Sequence, residues 1–142
     1  LSAGSMGAEE GQRELADTEP LAFQSDNWIN LDPGPYRVTF NEVVNLPLDL
    51  MALGRSRSSL LRSGVSVHTA VWDAGYQGRS QALLVVHLSH GYRIQKGARL
   101  LQLIFFRLPR QHRELRCMVS PQQKLLVQRL PVPFWSCRRV YG

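Results

Sequence analysis

Cysteine, lysine and long apolar runs are all scarce in this 142-residue chain. The two cysteines, Cys117 and Cys137, are too few for a disulfide scaffold. No CxxC and no Cys/His cluster at zinc spacing occurs. The expected compartment is therefore a reduced, cytoplasmic one. No apolar run approaches the ~20 residues of a membrane helix, so helical membrane spans are excluded and no membrane partner is expected. The first residues lack the basic start and apolar core of a secretory signal. Leu1 rather than Met opens the chain, which leaves room for an earlier segment.

Acid becomes scarce after the first quarter. Residues 1–32 carry Glu9, Glu10, Glu14, Asp17, Glu19, Asp26 and Asp32 against Arg13 alone. Beyond them only Glu42, Asp49, Asp73 and Glu114 are acidic, and the net charge of the whole chain is +6. So basic a body suits an anionic partner such as a nucleotide, a nucleic acid or a phosphate surface. Arg-heavy composition explains the charge equally well, because Lys96 and Lys124 are the only lysines.

What is present is enough apolar residue, 44%, for one domain with a real core. Residues 1–20 show no sustained period and read as a loose arm or the remnant of a truncated element. After the turn cluster Asp32-Pro33-Gly34-Pro35, Tyr36 to Phe40 alternates as a strand. Val43 to Leu46 and Leu50 to Leu53 are short apolar pieces separated by Pro47. Ser58 or Ser59 is placed to cap one or two helical turns that Gly64 ends. Val65–Val71, Ser80–Leu88 and Arg99–Arg107 read as strands parted by Gly-containing turns. Short strands at this spacing predict an all-β sandwich, jelly roll or barrel over residues 21–108. Residues 109–142 form a basic tail of different texture, with a short helix expected over 121–130.

Three groups can carry chemistry. Arg55, Arg57 and Arg62 surround Ser58 and Ser59, and guanidinium forks with hydroxyls match phosphate oxygens. An ordinary Arg/Ser surface loop has the same composition. Asp73, in Trp72-Asp73-Ala74-Gly75-Tyr76-Gln77-Gly78, is the only carboxylate between Asp49 and Glu114. Beside Gly-rich turns it can take a proton from water, and Tyr76 can stack on a base or sugar. The commoner use of Asp-x-Gly is to cap a turn. Gln102, inside an apolar run, either binds ligand or faces solvent by strand alternation. The histidines His68, His87, His90 and His112 show no metal spacing and are read as structural.

Taken in order, Arg57 to Gly64, Thr69 to Gly78 and Gly97 to Leu103 resemble the deoxyuridine triphosphatase / dCTP deaminase superfamily. The deaminase-like prokaryotic dUTPase branch is the nearest, and the resemblance covers about residues 20–108. It implies a distorted jelly-roll or β-barrel with short helical turns, assembled as a homotrimer with active sites between subunits. It also implies triphosphate binding by Arg57, Ser58, Ser59, Arg62 and Gln102, water activation by Asp73, and base or sugar contacts from Tyr76 and Thr69. Mg2+ would arrive on the substrate triphosphate, with no protein-held metal site. Deaminases of this superfamily carry a Glu in the strand after the Asp-x-Gly turn, and the aligned position here is Leu83. No Asp or Glu occurs from Ala74 to Arg113, so a slip of alignment supplies none.

The expected activity is conversion of dUTP to dUMP and pyrophosphate, with no nucleic-acid partner. The rivals are dCTP deamination and a non-catalytic trimeric β module whose basic tail binds nucleic acid or a partner. Two departures favour the latter. No early Gly-Val-Asp-Leu-type motif is found in residues 1–35, and the Gly- and Tyr-rich C-terminal lid of the family is missing after Pro109.

Overall fold

The computed structural model describes residues 2–9, 11–109 and 127–129. Cys117, Cys137, His112 and the rest of the tail lie outside the described residues. So does the expected helix of 121–130 except at 127–129, which form a strand instead. There the backbone pairs with strands on both sides, and that ladder overrides local helical preference.

The described chain is almost entirely β, as the alternation of Val, Leu and Tyr with polar residues requires. Its strands are β1 (Ser5–Met6), β2 (Arg13–Glu14), β3 (Glu19–Leu21), β4 (Trp28–Leu31), β5 (Gly34–Asn45), β6 (Leu50–Ser56), β7 (Val65–His68), β8 (Val71–Trp72), β9 (Gln77–Val86), β10 (Tyr92–Gln95), β11 (Leu101–Arg107) and β12 (Val127–Arg129). One short helix, α1 (Ser58–Arg62), interrupts them. Five strands form a sheet in the order β3-β12-β5-β9-β7, three form a second in the order β11-β6-β8, and β1-β2 and β10-β4 are separate pairs. Every pairing is antiparallel, and among the described residues these sheets do not close into a barrel.

The main core is where inward residues of the five-stranded sheet meet β4, β10 and α1. Tyr36, Val38, Leu84 and Val65 there are at most 1% exposed, beside Leu31, Val67, Val86, Leu60 and Ile94. Each such side chain contributes roughly 1.5–3 kcal/mol by leaving water. A second, smaller cluster of Leu46, Ala52 and Trp72 fills the space behind β6 and β8. Ser56 joins the two sheets: its hydroxyl accepts from Val67 N at 2.8 Å and lies 2.9 Å from Val67 O as donor.

Local details differ from the sequence expectation. The pieces Val43–Leu46 and Leu50–Leu53 are mostly strand: β5 runs on through a bulge between Thr39 and Val43, and Leu50 begins β6 after a turn at Pro47. Val65–Val71 is broken at Thr69 and Ala70, which lets β7 and β8 join different sheets. Neither Ser58 nor Ser59 caps α1. Arg57 takes the N-cap position with extended backbone and no side-chain cap bond, and both serines fall in the first helical turn. Burial of Leu60 fixes this phase. Gly64, at φ +66°, ends the helix as expected.

Candidate active site

Asp73 follows β8 directly and begins a tight turn in which Tyr76 N donates to Asp73 O at 3.0 Å. Gly75 stands third in that turn with φ +80°, a value a type II turn requires and a side chain resists. The turn is tied back to the loop before β6: Gly75 N donates to Pro47 O, and Leu46 N donates to Tyr76 O at 2.9 Å. Asp73 is therefore held on a fixed corner, half-buried, rather than on a free loop.

Around this corner lies a cleft of about 290 Å³ lined by Ala70, Val71, Trp72, Asp73, Tyr76, Ser80 and Gln81. Among the described residues Asp73 is the only carboxylate lining it. The cleft adjoins a broader groove of about 410 Å³ under the N-terminal arm, and the two share Ala70 and Gln81. Leu15, Ala16, Arg37, His68, Ala82 and Leu83 complete that groove, and among the described residues no carboxylate lines it. Leu83 sits at the centre of β9, paired with Arg37 on one side and His68 on the other, and faces outward.

The second group of expected residues clusters elsewhere. Gln102 of β11 stands directly opposite Arg55 of β6, and both are exposed. Arg57 N donates to Leu100 O at 3.1 Å, which fastens the start of α1 to the same strand pair. Arg57, Ser58, Ser59 and Arg62 are all exposed, and among the described residues none of the Arg55, Arg57 and Arg62 guanidiniums joins an ion pair. Cations and hydroxyls are thus gathered at one end of the three-stranded sheet.

Asp73 is at the other end. Its neighbour Trp72 pairs with Ala52, five residues before Arg57 along β6. At a strand rise of ~3.3 Å per residue this separates the two groups by about 16 Å. A single chain brings Asp73 to Tyr76, and Gln102 to the Arg/Ser loop, but does not bring these pairs to each other. Thr69 lies at the break between β7 and β8 close to Gly54, and its neighbour Ala70 lines the cleft.

Sequence reasoning missed Ser80, Trp72 and Gln81. Ser80 is 9% exposed, accepts from Trp72 Nε1–H and donates to the Tyr76 hydroxyl at 3.0 Å. Gln81 Nε2 donates to Thr39 Oγ1 at 3.3 Å while its side chain lines both the cleft and the groove. A signal was available: a serine at an inward position of a buried strand needs a polar partner. The histidines His68 and His87 are exposed, and each shares the Ser66 hydroxyl through Nε2 at 3.0 and 2.9 Å. Among the described residues no group of three or more His, Cys, Asp or Glu is placed to hold a metal.

The chain that folds this way is a member of a known class. Residues 4–108 match the family described as dCTP deaminase-like, so the chain belongs to that family. The match begins in the N-terminal arm, earlier than the motifs alone indicated. Among curated relatives, a protein of Methanosarcina acetivorans named probable deoxyuridine 5'-triphosphate nucleotidohydrolase is 49% identical over 105 residues, covering 74% of this chain and 61% of the relative. Proteins of the same name from Methanococcoides burtonii and Archaeoglobus fulgidus are each 46% identical, over 107 and 105 residues, covering 75% and 74% of this chain and 63% and 61% of theirs. The chain thus spans about three fifths of the length of these relatives. Among the described residues no helix is long and apolar enough to cross a membrane.

Proposed function

We propose that this chain hydrolyses dUTP to dUMP and pyrophosphate, in a cytoplasmic setting. A water attacks the α-phosphorus, the bond from that phosphorus to the bridging oxygen breaks, and pyrophosphate leaves. Asp73 takes the water's proton. Tyr76 packs on the deoxyribose, with Thr69 beside it, and Arg57, Ser58, Ser59, Arg62 and Gln102 hold the triphosphate. Guanidinium forks and hydroxyls are suited to that task because they remain charged or hydrogen-bonding at neutral pH.

The observation that carries the choice of chemistry is the groove beside Leu83, which no carboxylate of the described residues lines and which adjoins the cleft that holds Asp73. Deamination needs a carboxylate beside the base to shuttle protons, whereas displacement at phosphorus needs only a base near the attacking water. The relatives named as dUTP nucleotidohydrolases support the same choice.

The separation of Asp73 from the Arg/Ser loop supports a homotrimer in which each site joins Asp73 of one subunit to the loop of a neighbour. One carboxylate in the cleft fits Mg2+ held mainly by substrate phosphates, since that ion keeps to one or two carboxylates and phosphate oxygens. When bound, it screens the triphosphate charge during displacement.

The test is Asp73→Asn. The amide keeps the shape and cannot accept the proton, so hydrolysis of dUTP falls by roughly 10²–10⁴-fold with circular dichroism unchanged. A variant that works at the parental rate removes Asp73 from the mechanism.

A further inference from the structure

The wall of the Asp73 cleft contains a directional chain of three polar groups. An indole N–H can only donate, so Ser80 Oγ must accept from Trp72 Nε1. A serine hydroxyl has one proton, and Ser80 spends it on the Tyr76 hydroxyl at 3.0 Å. The Tyr76 oxygen therefore accepts from within the wall. Trp72 is 4% exposed and Ser80 9%, so two of the three members are largely shielded from water. Such a chain keeps one arrangement, because each alternative leaves a buried donor unpaired.

Resting on the reading that this cleft takes a deoxynucleotide, we propose that Ser80 is a positioning residue for sugar selection. It tethers the phenol end of Tyr76 to the wall, so that the ring stands at a fixed height where the deoxyribose lies. The selectivity comes from rigidity. A ring that cannot retreat leaves no room for a 2′-hydroxyl, whereas an untethered ring swings aside and admits one. Trp72 holds Ser80 through its indole N–H. The fixed turn at Gly75 and the Leu46–Tyr76 backbone bond hold the other end of the same residue, so the side-chain tether is what remains to be set.

The experiment uses the full chain with Ser80→Ala and Tyr76→Phe, singly and together. One readout is calorimetric binding of the α,β-imido analogues of dUTP and UTP. The other is the ring spectrum of ¹³C-tyrosine-labelled protein without ligand, in which Tyr76→Phe identifies the Tyr76 signal. Each single variant is expected to lower the preference for the deoxy analogue by roughly tenfold, the worth of one such hydrogen bond. The double variant should lose no more than either single one, because both remove the same bond. Ser80→Ala should also shift or broaden the Tyr76 signal. A purely structural serine would lower the melting temperature and leave the deoxy preference at its parental value, and that result overturns the proposal. So does an unaltered Tyr76 signal in Ser80→Ala. If the parent binds neither analogue, the deoxynucleotide reading of the cleft falls, and the ring spectrum alone decides whether Ser80 tethers Tyr76.

Discussion

Tyr36 shows how single side chains set limits on the fold. It is 1% exposed, and its hydroxyl donates to Asp32 O at 2.7 Å at the mouth of β5. Burial is the largest influence on its titration and raises its pKa above the ordinary 10.0, while the Arg129 guanidinium pulls the other way. A raised folded value means the protonated phenol stabilises the fold. That contribution is whole below pH 10 and is lost as pH rises through the folded value. Tyr36→Phe forgoes the bond to Asp32 and should be about 1 kcal/mol less stable at neutral pH. Its stability should then fall less than the parent's above pH 10. Urea denaturation at pH 7 and pH 11 checks both signs, and equal losses in the two proteins would refute the account.

At the scale of elements, the approach of β6 to the β7–β8 corner depends on Gly54. A Cβ there would stand 2.8 Å from Thr69 Oγ1 and 2.9 Å from Trp72 Cζ3, and Trp72 is a buried, rigid indole. Gly54→Ala should therefore cost roughly 1–3 kcal/mol through overpacking. It should also reduce turnover, since Trp72 backs the cleft. A variant with parental urea midpoint would show that the two elements are not packed this closely. The strands themselves were largely legible, because Tyr36-Arg37-Val38-Thr39-Phe40 and Ala82 to Val86 advertise their faces through alternation or continuous apolar character. Strands β4 and β10 were not. Each has four residues, and they pair across more than sixty positions, which no local pattern records. The helix cap was misplaced because Ser58 and Ser59 have the right chemistry for it, and burial of Leu60 overruled them. Asp73 and Tyr76 were legible as a pair because one short turn holds both. For Ser80 the inward position signalled only that a partner was needed, since the partners themselves arrive from a separate strand and from the turn.

On the scale of the whole molecule, the Asp73 corner and the Arg/Ser loop of one subunit stand about 16 Å apart, as the strand rise dictates. Light scattering should give about three times the chain mass. Asp73→Asn and Arg57→Ala should each be inactive alone, yet refolded together they should regain activity, because mixed trimers contain sites with an intact Asp73 facing an intact Arg57. Mixed trimers without activity, or an active monomer, would contradict this arrangement. The decisive measurement is to incubate the purified chain with dUTP and with dCTP, each with Mg2+, and to resolve the products by chromatography. The groove around Leu83, lined by no carboxylate of the described residues, predicts dUMP and pyrophosphate from dUTP and no deaminated product from dCTP. Appearance of dUTP or dUMP from dCTP, at a rate comparable to dUTP turnover, would contradict it.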